Sequence, residues 1–338
     1  MVPCVPEWRP CGAANETTNS RIYGNLSMKK AIITGASGFL GGWLLQELSA
    51  RGVQTIAVLR EEKSCEWVKT HTPGAQTLIC PQEQIQTLPD LLPDCDADVL
   101  FHLAWEGSTG AERADTTLQL KNVQHTLDTA KAAASLGCRR FVGAGTLAEL
   151  DCNSYIPLDG SSPNPVSCYG TAKITAHYMS KAVCGQLGID HLWACISNTY
   201  GAGNKTQNFV NFAVRTMLSG KPANFTSGEQ MYDFVHASDA AHALFCIGES
   251  GQKNHTYYIG STKPDQLKRF IVKIRDAVDP SIPLHLGAVP FNGVSLPASV
   301  FDCSSLCRDT GYKPRVPFET GIRETVGWLR KQKEEGNF

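Results

Sequence analysis

Short apolar runs, each cut off by a glycine or a polar residue, recur along the first two thirds of the chain. Ala31-Ile32-Ile33-Thr34 stops at Gly35 and is apolar throughout rather than alternating, so it reads as a buried parallel strand. Val53 to Leu59, Asp98 to Leu103, Arg140 to Ala144 and Gly188 to Ala194 follow the same plan. Between them the apolar spacing turns helical. One such stretch runs through Leu48, and a second runs from Leu118 to Leu136 with Gly137 as its stop. A third carries Tyr169 and Lys173 and continues to about Leu187. Strands alternating with helices predict an α/β fold, a doubly wound parallel sheet with right-handed crossovers. After about residue 199 the regularity loosens, and His236 to Gly248 is one of few clear helical patterns. The expected division is residues 28–198 as a first, regular α/β domain and 199–338 mainly as a smaller C-terminal lobe, some of whose segments return to the first.

Composition narrows the classes. A length of 338 residues suits one large α/β domain or two small ones. A net charge of -1 argues against nucleic-acid or membrane-surface binding by bulk electrostatics, and no apolar run is long enough to span a bilayer. The 13 cysteines include no Cys-x-x-Cys. Cys138, Cys184, Cys195 and Cys246 fall within predicted strands and helices, as small hydrophobes do. Cys303 and Cys307 form the closest pair, with no histidine cluster to complete a metal site. The expectation is no metal and a reducing, cytoplasmic compartment. Residues 1–27 lack both an apolar period and the pattern of a secretory leader; they read as a disordered or non-native extension before Met28.

The turn after the first strand is Gly35-Ala36-Ser37-Gly38-Phe39-Leu40-Gly41. One glycine permits the tight strand-to-helix turn and another lets a pyrophosphate approach the backbone. The helix N-terminus then offers free N–H groups. With a strand before it and a helix after it, this turn predicts dinucleotide binding on a Rossmann-like domain. The second strand ends in Arg60, followed by Glu61 and Glu62. An arginine there favours the 2′-phosphate of NADP, whereas Glu61 as a ribose acid would leave NAD possible.

Tyr169 and Lys173 lie four residues apart, one above the other on a helix. An ammonium beside a phenol stabilises the phenolate and is expected to lower its pKa, which makes the tyrosine an acid-base group. The spacing alone also fits a solvated surface pair.

Taken together, several motifs resemble the extended short-chain dehydrogenase/reductases of the NAD-dependent epimerase/dehydratase kind. They are Thr34 to Gly41, Phe101-His102-Leu103-Ala104, Asn122, Tyr169-x-x-x-Lys173, Asn198-Thr199-Tyr200-Gly201 and Asp233 to Ala240, in that order. The resemblance implies that Tyr169 is the acid-base and Lys173 its partner on the nicotinamide ribose. It implies that Thr146 is the hydroxyl that orients the substrate oxygen. Gly35, Ser37, Gly38, Phe39, Leu40, Gly41, Arg60, Leu103, Ala104 and Ile196 are the implied cofactor contacts. Asn198 and Asn208 are implied on a nucleotide-sugar substrate, and Asn122 as a structural helix residue. Relatives place an arginine where this chain has Cys195, and often another where it has Tyr232. The substrate diphosphate would then need Lys205, Arg215 or another base.

The resemblance also bears on the reaction. Dehydratases of this kind follow the catalytic threonine with an Asp-Glu pair, but here Leu147, Ala148 and Glu149 follow Thr146. Glu149 reads as a structural carboxylate rather than a base. What remains is reduction of a 4-keto nucleotide-sugar by NADPH, or 4-epimerisation with retained NAD. Arg60 leans toward the reductase. A non-catalytic NADP sensor and a reductase of aromatic ketones are further alternatives. A homodimer is implied through the helices carrying Leu127, Ala130, Ala134, Ile174 and Tyr178.

Overall fold

The computed structural model describes residues 27–155 and 167–337, so the expected N-terminal extension, apart from Ser27, lies outside the described residues. The first half runs β1 Lys30–Thr34, α1 Phe39–Ala50, β2 Gln54–Leu59, α2 Lys63–His71, β3 Gln76–Ile79, α3 Leu88–Leu91, β4 Val99–His102, α4 Thr116–Ser135, β5 Arg140–Thr146, α5 Ala148–Tyr155, α6 Ser167–Leu187 and β6 Asp190–Ile196. The second half adds β7 Asn198–Tyr200, α7 Phe209–Leu218, β8 Ala223–Phe225, β9 Met231–Tyr232, β10 Phe234–His236, α8 Ala237–Ser250, β11 Thr256–Ile259, β12 Asp265–Gln266, α9 Leu267–Val278, β13 Leu284–Leu286, α10 Ser304–Thr310 and α11 Phe318–Glu334.

Seven strands form one parallel sheet in the order β11-β6-β5-β4-β1-β2-β3. Strand order reverses between β1 and β4, which opens a crevice at their carboxyl ends. Alternation along each strand sends side chains to both faces. Ile33, Phe101 and Val142 join Leu44, Leu45 and Leu48 of α1 and Leu244 and Ile247 of α8 in one core. Ile32, Leu100 and Phe141 meet Ala130, Ala133 and Cys184 of α4 and α6 in the other. Burial on both faces explains why β1 carries no polar alternation.

A third core holds the smaller lobe together. Val214 and Met217 of α7, Phe270, Ile271 and Ile274 of α9, and Ile322, Val326 and Leu329 of α11 surround Phe234. Three two-stranded pairs serve it: β7 with β10, β9 with β12, and β8 with β13. β11 leaves this region to pair with β6 as the edge of the main sheet.

Local boundaries differ slightly from expectation. Asp115 caps α4 by accepting from the Leu118 N–H at 3.0 Å, which starts the helix before Leu118. Gly188, at φ 75°, ends α6 and delays the next strand to Asp190. Leu127 and Ala130 are buried inside the chain, because that face of α4 packs inward, whereas Tyr178 is 66% exposed. All eleven described cysteines are free. Among the described residues no helix is long and apolar enough to cross a membrane, and no cluster of three or more potential metal ligands occurs.

Candidate active site

The crevice begins with the glycine turn. Gly35 adopts φ 70°, and a Cβ there would lie 2.7 Å from the Ala104 backbone nitrogen. Gly41 lets α1 close on Gly35, since a Cβ at that position would run into the Gly35 carbonyl. The Gly38 N–H donates to the Gly35 carbonyl at 2.9 Å and closes the turn. No side chain caps α1, so its N-terminal N–H groups face the crevice free for an anion. A cradle that only glycine backbone can form fits a dinucleotide pyrophosphate.

Gly35, Ser37, Gly38, Arg60, Leu103 and Ala104 line one cleft of about 240 Å³. Phe39 faces a neighbouring cavity, while Leu40 packs on the core and Gly41 is spent on helix packing. Three of the implied cofactor residues therefore act around the turn rather than in this cleft. Arg60 is exposed and stands 3.6 Å from Glu106 and 3.9 Å from Glu61, while Lys63 pairs with Glu61 at 3.0 Å. His102 is buried below the cleft, with its imidazole between the hydroxyls of Thr34 at 2.8 Å and Thr126 at 3.1 Å. Burial pulls its pKa down to about 3, so it is neutral.

A second cavity, of about 290 Å³, opens beside the first, and Thr146, Tyr169, Ile196, Asn198 and Tyr232 line it. Strand β5 delivers Thr146 and α6 delivers Tyr169. The Thr146 hydroxyl lines the cavity beside the Tyr169 phenol. Lys173 lies one helical turn on, buried, with its ammonium donating to the Ala144 carbonyl at 2.8 Å. Trp105 covers it, its ring 3.7 Å from Nζ, and meets Tyr169 edge-on at 6.0 Å between centroids.

Burial governs both titrations. It pulls Lys173 down to about 7, against an opposing pull from Glu149. It pushes Tyr169 up to about 12, with the Thr146 hydroxyl and the Arg113 charge acting the other way. The expected lowering of the phenol is therefore not found: desolvation outweighs the nearby cations, and the ammonium of Lys173 is directed at a backbone carbonyl.

Glu149 is occupied. Its carboxylate accepts from the Thr146 N–H at 2.8 Å and from the Trp193 indole at 3.0 Å, and lies 3.3 Å from His177 Nδ1. The Trp193 indole lies where Gly143 and Gly145 leave room, so two glycines of β5 exist for this contact. Asn122 clamps the loop after β4, its amide bonded to both the N–H and the carbonyl of Glu106.

Asn208 is positioned by a helix end. It caps α7 by accepting from the Asn211 N–H at 2.8 Å and does not line the catalytic cavity. A short polar side chain one residue before a helix satisfies an orphan N–H, and that demand decides its place. Lys205 lines a separate cavity with Trp43 and Trp328, and Arg215 lies on α7 outside the catalytic lining. Cys195 bonds the Thr146 carbonyl at 3.3 Å. The Asp233 carboxylate is engaged by Tyr258 and Ser261, and Asp239 accepts from the N–H groups of Arg315 and Val316, so both acids of that motif hold the fold.

Sequence reasoning missed Trp105, Arg113 and Asp151. Trp105 directly follows the Phe101-His102-Leu103-Ala104 strand end, which was a usable signal. Arg113 and Asp151 sit in segments with no periodic or motif signal.

A profile described as the NAD dependent epimerase/dehydratase family matches residues 31–260. The chain belongs to the NAD dependent epimerase/dehydratase family. Full-length similarity within it is low. A dTDP-glucose 4,6-dehydratase of Haemophilus influenzae is 23% identical over 340 residues, covering 89% of this chain and 98% of that protein. A 4-hydroxy-2-methyl-3-oxo-4-farnesyl-3,4-dihydroquinoline-1-oxide ketoreductase of Stigmatella aurantiaca is 24% identical over 289 residues, covering 85% of this chain and 84% of that protein. Among solved structures, a Thermotoga maritima UDP-glucose 4-epimerase with UDP-glucose matches with a TM-score of 0.75 at 18% identity, covering 90% of this chain and 99% of that one. At that identity the match concerns the fold. As a member of the epimerase/dehydratase family the chain is an NAD(P)-dependent enzyme; its glycine turn lines the first cleft, Thr146 and Tyr169 line the second cavity, and Trp105 of the first contacts Tyr169 and Lys173.

Proposed function

We propose that this enzyme reduces the ketone of a 4-keto nucleotide-sugar with NADPH. The observation that carries the reading is the placement of Tyr169: its protonated phenol lines one cavity with the Thr146 hydroxyl, against Trp105 and one helical turn from the buried Lys173. Such a phenol is a proton donor at neutral pH.

When bound, the nicotinamide supplies the hydride that forms the new C–H bond. Thr146 donates to the substrate oxygen as charge develops there. Tyr169 gives its proton to that oxygen, so the C=O π pair becomes the O–H bond and a secondary alcohol results. Lys173, in its ammonium form, stabilises the phenolate left behind. Trp105 excludes water from this pair.

Elimination is disfavoured because Glu149, the acid nearest Thr146 in the chain, is fully engaged by other donors. Arg60, with Lys63 and Ser64 close by in the chain, supports NADP. The similarity to a protein named a ketoreductase supports reduction. Substrates of the nucleotide-sugar class are supported by the relatives named for dTDP-glucose and UDP-glucose.

One observation favours a 4-epimerase with retained NAD. Glu106 draws the Arg60 guanidinium, and Glu61 lines the same cleft, where a carboxylate could take ribose hydroxyls. Release and identification of the copurified nucleotide separates the two. An empty or NADP-loaded protein that consumes NADPH with a 4-keto sugar nucleotide is the expected result; stoichiometric tightly held NAD contradicts it.

A further inference from the structure

We infer that Arg113 anchors an oxyanion that the substrate carries close to its reacting ring. This rests on the proposed reduction at Tyr169 and adds to it the group that holds the charged part of the substrate.

Arg113 lies in a short 3-10 turn, Gly110–Ala114, and lines the catalytic cavity. Its guanidinium stands over the Tyr169 ring, 4.7 Å from the centroid. Nε is buried without a hydrogen-bond partner, and no carboxylate among the described residues forms an ion pair with the side chain. Arg113 is also the one cation in the described lining of that cavity, which has Tyr232 where relatives often carry an arginine. A buried guanidinium N–H without an acceptor is costly unless a ligand supplies one. Its planar fork matches a carboxylate or phosphate better than a single hydroxyl.

The loop that presents Arg113 is built to hold it still. Gln119, only 2% exposed, donates to the carbonyls of Gly107 at 2.9 Å and Glu112 at 3.0 Å and accepts from the Trp105 indole at 3.0 Å. Asn122, equally buried, fixes Glu106 through both of its backbone groups. Two buried amides of α4 thus fix a surface loop whose residues Trp105 and Arg113 both contact Tyr169 or its neighbour Lys173. Rigid support of this kind is what a binding group needs and a solvated loop does not.

Asp151 faces the same cavity from α5; burial raises its carboxyl and the Arg113 charge pulls it back down, so an acid and a cation share this lining. Because the guanidinium lies against the acid-base residue, the anion it holds must sit next to the sugar ring. Two substrate groups fit: the phosphate joined to the sugar, and a carboxylate on the ring.

The test compares wild type with Arg113→Gln and Arg113→Lys. NADPH affinity, measured by fluorescence, is expected to be unchanged in both variants. NADPH oxidation with a dTDP-linked 4-keto sugar should show KM at least tenfold higher in Arg113→Gln, with kcat within about threefold, and Arg113→Lys should fall between. Calorimetry with dTDP and with UDP-glucuronic acid separates the sources: tenfold weaker dTDP binding assigns the phosphate. Unchanged dTDP binding with tenfold weaker UDP-glucuronic acid binding assigns the carboxylate. Unchanged affinity for both, or a fall in kcat with KM unchanged, overturns the anchor. If wild type reduces no ketone, the reductase reading fails while the calorimetry still decides the role of Arg113. Should Arg113→Gln not fold, Arg113→Lys with wild-type affinity for both ligands and wild-type KM overturns the anchor, and weakened affinity supports it.

Discussion

The cofactor cleft and the substrate cavity adjoin at Trp105 and Tyr169 but are made of different material. The cleft is mostly backbone: the turn at Gly35, the open N-terminus of α1 and the strand end at Leu103 and Ala104. The cavity is mostly side chains, drawn from the loop after β4, from β5 to α6, from β7, from β9 and from the segment around Phe291 and Phe301. Backbone sites tolerate little added volume, while side-chain sites tolerate truncation and lose binding or chemistry instead. That difference predicts how each region breaks.

The largest effect is expected in the cavity. Tyr169→Phe keeps the ring that meets Trp105 and Arg113 but removes the proton. Turnover should fall by about 10²–10⁴, with the melting temperature within a few degrees of wild type. A variant that retains full turnover would remove Tyr169 from the chemistry. Next comes the cleft. Gly35→Val places a Cβ against Ala104 at a positive φ, a strain of about 1–3 kcal/mol before any clash. Nucleotide binding and melting temperature should drop together, and unchanged binding by calorimetry would contradict the backbone account.

A smaller effect concerns selectivity. Arg60→Ala should lower the preference for NADPH over NADH by about tenfold, the scale of one charge-assisted contact. An unaltered ratio of kcat/KM values would leave Arg60 a solvated strand end. The pH profile is the mildest test. Lys173 is cationic below about 7 and neutral above it. Reduction should therefore decline as pH rises through that range, and Lys173→Arg should flatten the decline. A profile flat in both proteins would show that the ammonium is not needed.

Much of the cleft was legible because a glycine turn is a local device. The residues that bend the chain also face the cleft, and Gly35, Ser37 and Gly38 lie within four consecutive positions. Tyr169, Lys173 and Thr146 were legible through motif order. The cavity was not, because it is assembled across long sequence separations: Arg113 reaches Tyr169 only once Gln119 has folded the loop back on α4. Asn208 carries a second role that motif order does not show, since its oxygen caps a helix. The raised phenol of Tyr169 was equally hidden, since spacing shows that a cation is near but not how dry the site is.

The most direct measurement follows the hydride. The enzyme would be incubated with NADPH deuterated at the transferring position of the nicotinamide and a 4-keto sugar nucleotide, and the product examined by mass spectrometry. The account predicts an alcohol carrying the deuterium at the former ketone carbon, formed once per NADPH consumed. An epimerised sugar with no deuterium, released from a protein that retains NAD, would contradict it.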